Sequence, residues 1–286
     1  LERLTKCNQD IAEVFEVIVT DDGAKSSAEE MVRLRYPSVK WVEGPHRGPA
    51  ANRNCGARLA KGEWLVFLDD DCLPEPGWLK AIVRRAGKGD LDVVEGQTLA
   101  PGREDNPFKY YVENPNGNCY WSCNLAIRRQ VFEEIGAFDE DFLEAGGEDI
   151  ELADRIRKAV LRTTFDQEAR VIHPVRIVSW NMLIWRTFMQ RWTLLYHLKT
   201  GVGLPLNVSD TQAAIGVIKH WSIDLLRTTW HVFSKHDRQR WRTQLFNQIW
   251  KWFSFPLVLP YLIIWEIRFR RQLRLKKSTN NTLRSK

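Results

Sequence analysis

Several features common in chains of this length are missing here. No run of eighteen uncharged apolar residues occurs, so no segment reads by itself as a membrane-spanning helix. No secretory leader pattern is visible, and the sequence opens on Leu1, not on Met. Cysteine is scarce and odd in number: Cys7, Cys55, Cys72, Cys119 and Cys123. Five thiols in 286 residues exclude a disulfide scaffold and read as reduced thiols of a cytosolic protein. Cys119 and Cys123 are the one close pair, and no His or Cys set beside them completes a zinc pattern. Internal repeats and low-complexity tracts are absent as well. What is present is ordinary globular material, 44% hydrophobic and 27% charged, long enough for one large domain and an accessory segment.

The net charge of +6 is unevenly spread. The last 19 residues, Arg268–Lys286, hold eight Lys and Arg and no acid, and the rest carries 34 basic against 36 acidic residues. A nucleic-acid-binding domain carries its basic residues on the folded body, so no nucleic-acid partner is expected. A basic tail fits a membrane surface, an acidic partner or plain solvation.

Apolar spacing is helical over Leu1–Ala12, and Phe15–Thr20 is a β-branched run that stops at the turn Asp21-Asp22-Gly23. A helix over Ser27–Arg35, a weak strand at Val39–Val42, a small-residue helix over Pro49–Leu59 and a strong strand at Trp64–Leu68 follow. Then come a helix over Trp78–Arg85, a strand at Leu91–Gln97, an irregular stretch from Arg103 to Cys123, and helices over Val131–Ile135 and Ile150–Val160. A short strand ends at Val171–His173. Strands alternating with helices predict an α/β fold whose sheet is largely parallel and covered on both faces. Nine of the thirteen Trp lie beyond residue 179, in aromatic-rich helical stretches. The expected domains are therefore 1–178, the α/β domain, and 179–286, a helical accessory segment with a basic tail.

Four motifs carry chemistry, and each also has a plain structural reading. The run WLVFLDDDC ends a strand in Asp69, Asp70 and Asp71. Adjacent carboxylates repel unless a cation neutralises them, and hard oxygen ligands suit Mg²⁺ or Mn²⁺, although a solvated acidic turn looks the same. The run VIVTDDGA ends another strand in two acids, which fits a ribose or base contact or a simple Asp-Gly turn. Gly48 and Arg53 open a helix, where a guanidinium suits a base or a phosphate. Gly146-Gly147-Glu148-Asp149 opens another, and a carboxylate there either complements the helix dipole or takes a proton from a hydroxyl.

In this order, over about three fifths of the chain, the motifs resemble the family 2 inverting glycosyltransferases of the GT-A fold. The matching stretches are Thr20-Asp21-Asp22-Gly23-Ala24, Gly48 followed by Asn52-Arg53-Asn54-Cys55-Gly56, Leu68-Asp69-Asp70-Asp71 and Gly147-Glu148-Asp149. Asn124–Arg129 and Gly136–Glu140 also look like the family. Asn52 stands where the pattern has Ala, and Ala24 where it has Ser. The family's opening strand is absent, which predicts that the chain is N-terminally truncated.

The resemblance implies a mostly parallel Rossmann-type sheet flanked by helices. It implies nucleotide contacts from Asp22, Arg53 and Asp70, and a divalent ion, Mn²⁺ or Mg²⁺, held on the donor diphosphate by Asp69, Asp71 and His173. Asp149 would deprotonate an acceptor hydroxyl, giving inversion, with Glu148 and Asn124 binding the acceptor. The partners implied are a nucleotide-sugar donor and a carbohydrate or lipid-linked acceptor, as in cell-surface polysaccharide or glycolipid synthesis. A nucleotidyltransferase and a non-catalytic sugar-nucleotide-binding homologue stay open as alternatives. Finally, Phe253–Trp265 is thirteen uncharged residues flanked by Trp and followed by the basic tail. Too short to span a bilayer, it predicts peripheral contact through 249–286 at the inner face of the cytoplasmic membrane.

Overall fold

Pleating sends successive side chains of a strand to opposite faces, and this chain uses both. The computed structural model describes residues 1–4, 6–23, 27–201, 204–234 and 241–284. Thr5, Ala24 of the first acidic motif, and Ser285 and Lys286 of the basic tail lie outside them. The chain divides into two compact units, Leu1–Arg103 with Tyr111–Val175, and Glu104–Tyr110 with Arg176–Lys286.

The first unit opens with a 3-10 turn and a four-residue helix α1 (Lys6–Gln9), where a longer helix was expected. Gln9 explains the difference. Its buried amide donates to the Arg3 carbonyl at 2.7 Å and accepts from the Leu79 amide at 2.7 Å, and Asp10 turns left-handed with φ +47°. Next come β1 (Ile18–Asp21), α2 (Glu29–Arg35), β2 (Lys40–Glu43), α3 (Pro49–Leu59), β3 (Trp64–Phe67), β4 (Leu73–Pro74), α4 (Trp78–Ala86) and β5 (Val93–Leu99). After β6 (Lys109–Tyr110), a part of the second unit, the first unit resumes with β7 (Leu125–Arg128), α5 (Arg129–Glu134), α6 (Glu148–Lys158) and β8 (Thr163–Ile172).

β1 and β2 pair in parallel, while the larger sheet has the order β3-β7-β5-β8-β4. In it β3, β5 and β8 share one direction, and β7 and the two-residue β4 run against them. On one face Leu65, Val93, Leu125 and Ile127 pack with Ala50 and Ala57 of α3, Phe132 of α5 and Leu152 and Ile156 of α6. On the other, Val94, Ala126, Ala169 and Val171 pack with Trp78, Leu79 and Ile82 of α4. Each fully buried Leu, Ile or Phe contributes about 1.5–3 kcal/mol, so both helical layers are firmly attached. Phe67, Phe132 and Phe138 add a ring cluster with centroids 5.2–5.6 Å apart.

The second unit begins with β6, which pairs with β9 (Arg176–Ile177). Four helices follow among the described residues: α7 (Trp180–Phe188), α8 (Arg191–Thr200), α9 (Asp210–Ser234) and α10 (Trp241–Arg284). Ser179 caps α7 by accepting from the Met182 amide at 3.2 Å. Leu194, Val217, Val258 and Leu262 form the core of this unit. The thirteen uncharged residues Phe253–Trp265 prove to be the middle of the 44-residue α10, so their own length does not limit what they cross. Pro256 and Pro260 sit inside the helix. Each removes one backbone bond, and packing of Val258 and Leu262 offsets the loss. By length and composition Trp241–Thr279 is the one helix among the described residues sufficient to cross a membrane.

Candidate active site

The acidic triplet leaves the carboxyl end of β3, the terminal strand of the five-stranded sheet. It divides between two neighbourhoods. Asp69 turns toward α3, where its Oδ1 accepts from Arg53 at 3.0 Å. Asp71 turns the other way, toward the end of β8, and its Oδ1 lies 3.7 Å from Nε2 of His173. Asp70, between them, is exposed.

Arg53 is the hub of the first neighbourhood. It also donates to Oε1 of Glu148 at 2.9 Å, and its guanidinium stacks 5.5 Å from the Phe138 ring centroid. Burial alone would lower its pKa, but the carboxylates of Asp149, Asp69 and Glu148 raise it further above its usual value. Asp149 itself accepts from the Ser122 amide at 3.3 Å. Burial pushes its pKa up to about 6; the Arg53 charge opposes that rise, and the charge of Glu148 adds to it. The result is a carboxyl that titrates just below neutrality, a setting suited to general-base work.

The second neighbourhood joins Asp71, Cys72 and His173, whose ligand atoms lie within 4.8 Å of one another. His173 is buried, and its Nδ1 donates to the Pro174 carbonyl at 3.0 Å. A carbonyl can only accept, so Nδ1 carries a proton there and Nε2 faces Asp71, whose Oδ1 also lies 3.8 Å from the Cys72 thiol. Such a donor set fits a divalent cation. Cys72 fits less well: its bond to Cys123 and its burial raise the thiol pKa, so it stays protonated. Asp69, expected as a ligand, stands outside this group and is held by Arg53.

The two acids at the end of β1, Asp21 and Asp22, have separate tasks. Asp21 accepts from the Gly23 and Ala28 amides, the Ser27 hydroxyl and the Trp41 indole, and so ties down the start of α2. Burial works against its ionisation, yet the Ala28 and Gly23 bonds hold its pKa below the usual value. Asp22 accepts from the His46 and Gly48 amides and braces the loop that starts α3. Gly48 has φ +89°, and a Cβ there would lie 2.1 Å from the Leu143 carbonyl oxygen, so only glycine fits. Asn52, where the family pattern has Ala, donates to the Thr20 carbonyl at 2.9 Å and joins α3 to β1. Arg53, the next residue, reaches the end of β3.

Two residues expected to bind the acceptor are engaged in internal bonds. Asn124 is 2% exposed and fully engaged, accepting from Trp78 at 2.9 Å and donating to the carbonyls of Gln97 and Ala169. It ties β5 to β8. Glu148 is also 2% exposed, and its oxygens are taken by Arg53 and by the Gly146 and Gly147 amides. It fixes the Gly-Gly loop and Arg53. Sequence reasoning missed Phe138 and Ser122. Phe138 lay in a family-like stretch without a role, and Ser122 acts through its backbone, which leaves no side-chain signal.

An acidic site at strand ends of a mixed α/β sheet defines a class, and comparison with known proteins identifies it. Residues 1–136 match the family model described as glycosyl transferase family 2, and residues 105–176 match that of the N-terminal domain of galactosyltransferase. These matches support a family 2 glycosyltransferase. Glycosyltransferase AglE of Haloferax volcanii is 27% identical over 176 residues, covering 57% of each chain. Chondroitin synthase of Escherichia coli is 40% identical over 197 residues, 52% of this chain and 29% of its own. The O-antigen biosynthesis protein RfbC of Myxococcus xanthus is 29% identical, over 56% of this chain and 15% of its own. The chain thus spans well under two thirds of the length of these relatives.

Among solved structures, the mannosyltransferase PcManGT of Pyrobaculum calidifontis, in complex with GDP-Man and Mn²⁺, matches with TM-score 0.52 and 17% identity over 84% of this chain and 77% of its own. S. aureus TarS 1–349, in complex with UDP, matches with TM-score 0.50 and 16% identity over 96% and 85%. These likenesses establish the GT-A fold.

Proposed function

We propose that this glycosyltransferase moves a sugar from a nucleoside-diphosphate sugar to an acceptor hydroxyl with inversion at the anomeric carbon. The observation that carries the reading is Asp149, a half-buried carboxylate with its pKa near 6, beside the Asp69–Arg53–Glu148 network. Asp149 takes the proton of the acceptor hydroxyl as that oxygen attacks. Arg53 keeps Asp149 ionised at neutral pH and keeps Asp69 and Glu148 in place. Asp22 and Glu148 set the two loops that flank the start of α3 and α6, and Asp70 is free in position to meet the ribose. Asp71 and His173 would hold a Mn²⁺ or Mg²⁺ ion, which when bound offsets the charge developing on the departing diphosphate. The acceptor is proposed to be a carbohydrate or lipid-linked sugar at the inner face of the cytoplasmic membrane, as part of cell-surface polysaccharide or glycolipid synthesis.

The test is a panel of sugar nucleotides incubated with the protein and Mn²⁺ or Mg²⁺, following release of nucleoside diphosphate. The proton NMR spectrum of the first product then gives its anomeric configuration. Pyrophosphate release in place of nucleoside diphosphate would mean nucleotidyl transfer. A retained configuration would remove Asp149 as the base of a single displacement.

A further inference from the structure

The basic charge is not confined to the tail. The second unit carries twenty Lys and Arg against six Asp and Glu, whereas the first carries 22 against 30. Within α9 and α10 the described acids are matched locally. Asp210 pairs with Arg271 and Arg274, Asp224 with Lys251, and Glu266 with Arg270. Exposed Lys219, Arg227, Arg242 and Arg268 add positive charge on the same helices.

The apolar residues of these helices are divided between two faces. On α10, Val258, Leu262 and Phe269 are buried, while Ile249, Trp252, Phe253, Leu257 and Ile264 are exposed. Phe253 and Leu257 are 76% and 74% exposed, values that a water-facing helix seldom gives to large apolar side chains. With exposed Pro256 and Pro260 between them, they recur at three- and four-residue steps and form one stripe about 22 Å long. Arg268 and Arg271 continue the same line. On α9, Ala213, Val217 and Leu225 are buried, while Ile215, Ile218, Ile223, Leu226 and Trp230 form a second exposed stripe. The stripes are linked, because the Trp252 indole donates to Thr229 at 3.0 Å, beside Trp230.

We propose that the exposed stripes of α9 and α10 together form an in-plane docking face for an anionic lipid bilayer, with both helices lying along the surface and neither crossing it. This deepens the membrane placement proposed above and rests on it. A bilayer surface is the occupant that matches every component. It offers acyl chains to a long apolar strip, an interface to Trp, and phosphate headgroups to the surrounding Lys and Arg. A protein partner or a second copy would have to match a strip of excess positive charge, and this chain's acids on these helices are already paired. In-plane docking, not crossing, follows from the opposite face of α10, where Glu266 and Arg270 are buried against the rest of the unit and Gln248 bonds to α9.

The test uses the 286-residue chain and sedimentation with vesicles of phosphatidylcholine, with and without phosphatidylglycerol, at low and high salt. Binding is expected to the anionic vesicles, weakened by salt and fully released by alkaline carbonate. Phe253→Glu with Leu257→Glu, and separately Leu226→Glu with Trp230→Glu, should each lower the bound fraction about tenfold. Val160→Glu, at an 88% exposed site of the first unit, should leave it unchanged. Circular dichroism confirms folding of each variant. As a second readout on the native protein, brominated acyl chains should quench tryptophan fluorescence, and the pair Trp230→Phe with Trp252→Phe should lose most of that quenching. Binding that survives both paired Glu variants overturns the stripe assignment and leaves the membrane placement standing. Resistance to carbonate overturns the in-plane geometry in favour of a crossing α10. Failure of the native chain to bind, or self-association that the same variants abolish, overturns both. None of these outcomes bears on sugar transfer, which is assayed with soluble donor.

Discussion

Replacing Asp149 by Asn removes a proton acceptor and a buried charge while keeping shape. With the acceptor lost, turnover should fall by at least about 10²-fold, the low end for general-base catalysis. Donor affinity should change little. Stability should move the other way. The folded pKa of Asp149 is raised, to about 6 from an ordinary value of 3.8, so its folded form favours the proton. The group therefore costs nothing below the unfolded pKa, and stability is lost as pH rises through about 6. The full cost of ionisation is on the order of 3 kcal/mol, an upper bound because Asp149 keeps some solvent contact. Asn carries no such cost, so at pH 8 the variant should melt at a higher temperature by up to roughly 5 °C, and at pH 4 by almost nothing. Arg53 keeps Asp69 and Glu148 as partners, so no unpaired cation is left. Thermal melts at both pH values, with single-turnover transfer assays, read the two effects separately. Near-native turnover, or equal destabilisation at both pH values, would refute the reasoning.

In the native protein the acid limb of the pH–rate profile should lie near pH 6, because the base must be ionised; a limb near pH 4 would show a different group titrating. Arg53→Met should move that limb upward, since the lost cation no longer favours the carboxylate. It should also destabilise by about 3–5 kcal/mol in denaturant titrations, because Asp69 and Glu148 lose their partner. His173→Ala should weaken Mn²⁺ binding, measured by electron paramagnetic resonance, by at least about tenfold. Unchanged affinity would separate His173 from the ion. Gly48→Ala should cost about 2 kcal/mol or more by chemical denaturation, from its positive φ and the Leu143 carbonyl; a neutral result would mean that loop relaxes freely.

The α3 boundaries, Pro49–Leu59, were legible because Pro at the first turn and a run of small residues state a helix directly. The reversed β7 was not, because Leu125–Arg128 is four residues whose direction depends on pairing with β3 and β5. β8 was recognised only at its last residues; six of its ten residues are polar or charged, and Asp166 is held by Arg84 and Arg85. At the site, sequence order named Asp71, His173, Arg53 and Asp149, but it gave no means of seeing which oxygens were already occupied. Glu148 and Asn124 look like ligand groups in one dimension and are consumed by internal bonds in three. The same limit hid the division of the acidic triplet, since adjacent residues of a turn point in different directions.

The loop Glu104–Tyr110 belongs to the second unit although both its flanks belong to the first. It forms the strand that pairs with Arg176–Ile177, and Asp105 accepts from the Arg242 and Thr243 amides at the head of α10. The polypeptide therefore passes between the units three times, and no single cut divides them. A chain ended at residue 175 would retain the loop but lose its β9 partner and the α10 amides that Asp105 accepts from, leaving a strand edge unpaired. In evolutionary terms the helical unit is not an appendage that recombination at one point can add or exchange. Exchanging the helical unit therefore requires exchanging the Glu104–Tyr110 segment with it, because that segment supplies the strand that pairs with β9.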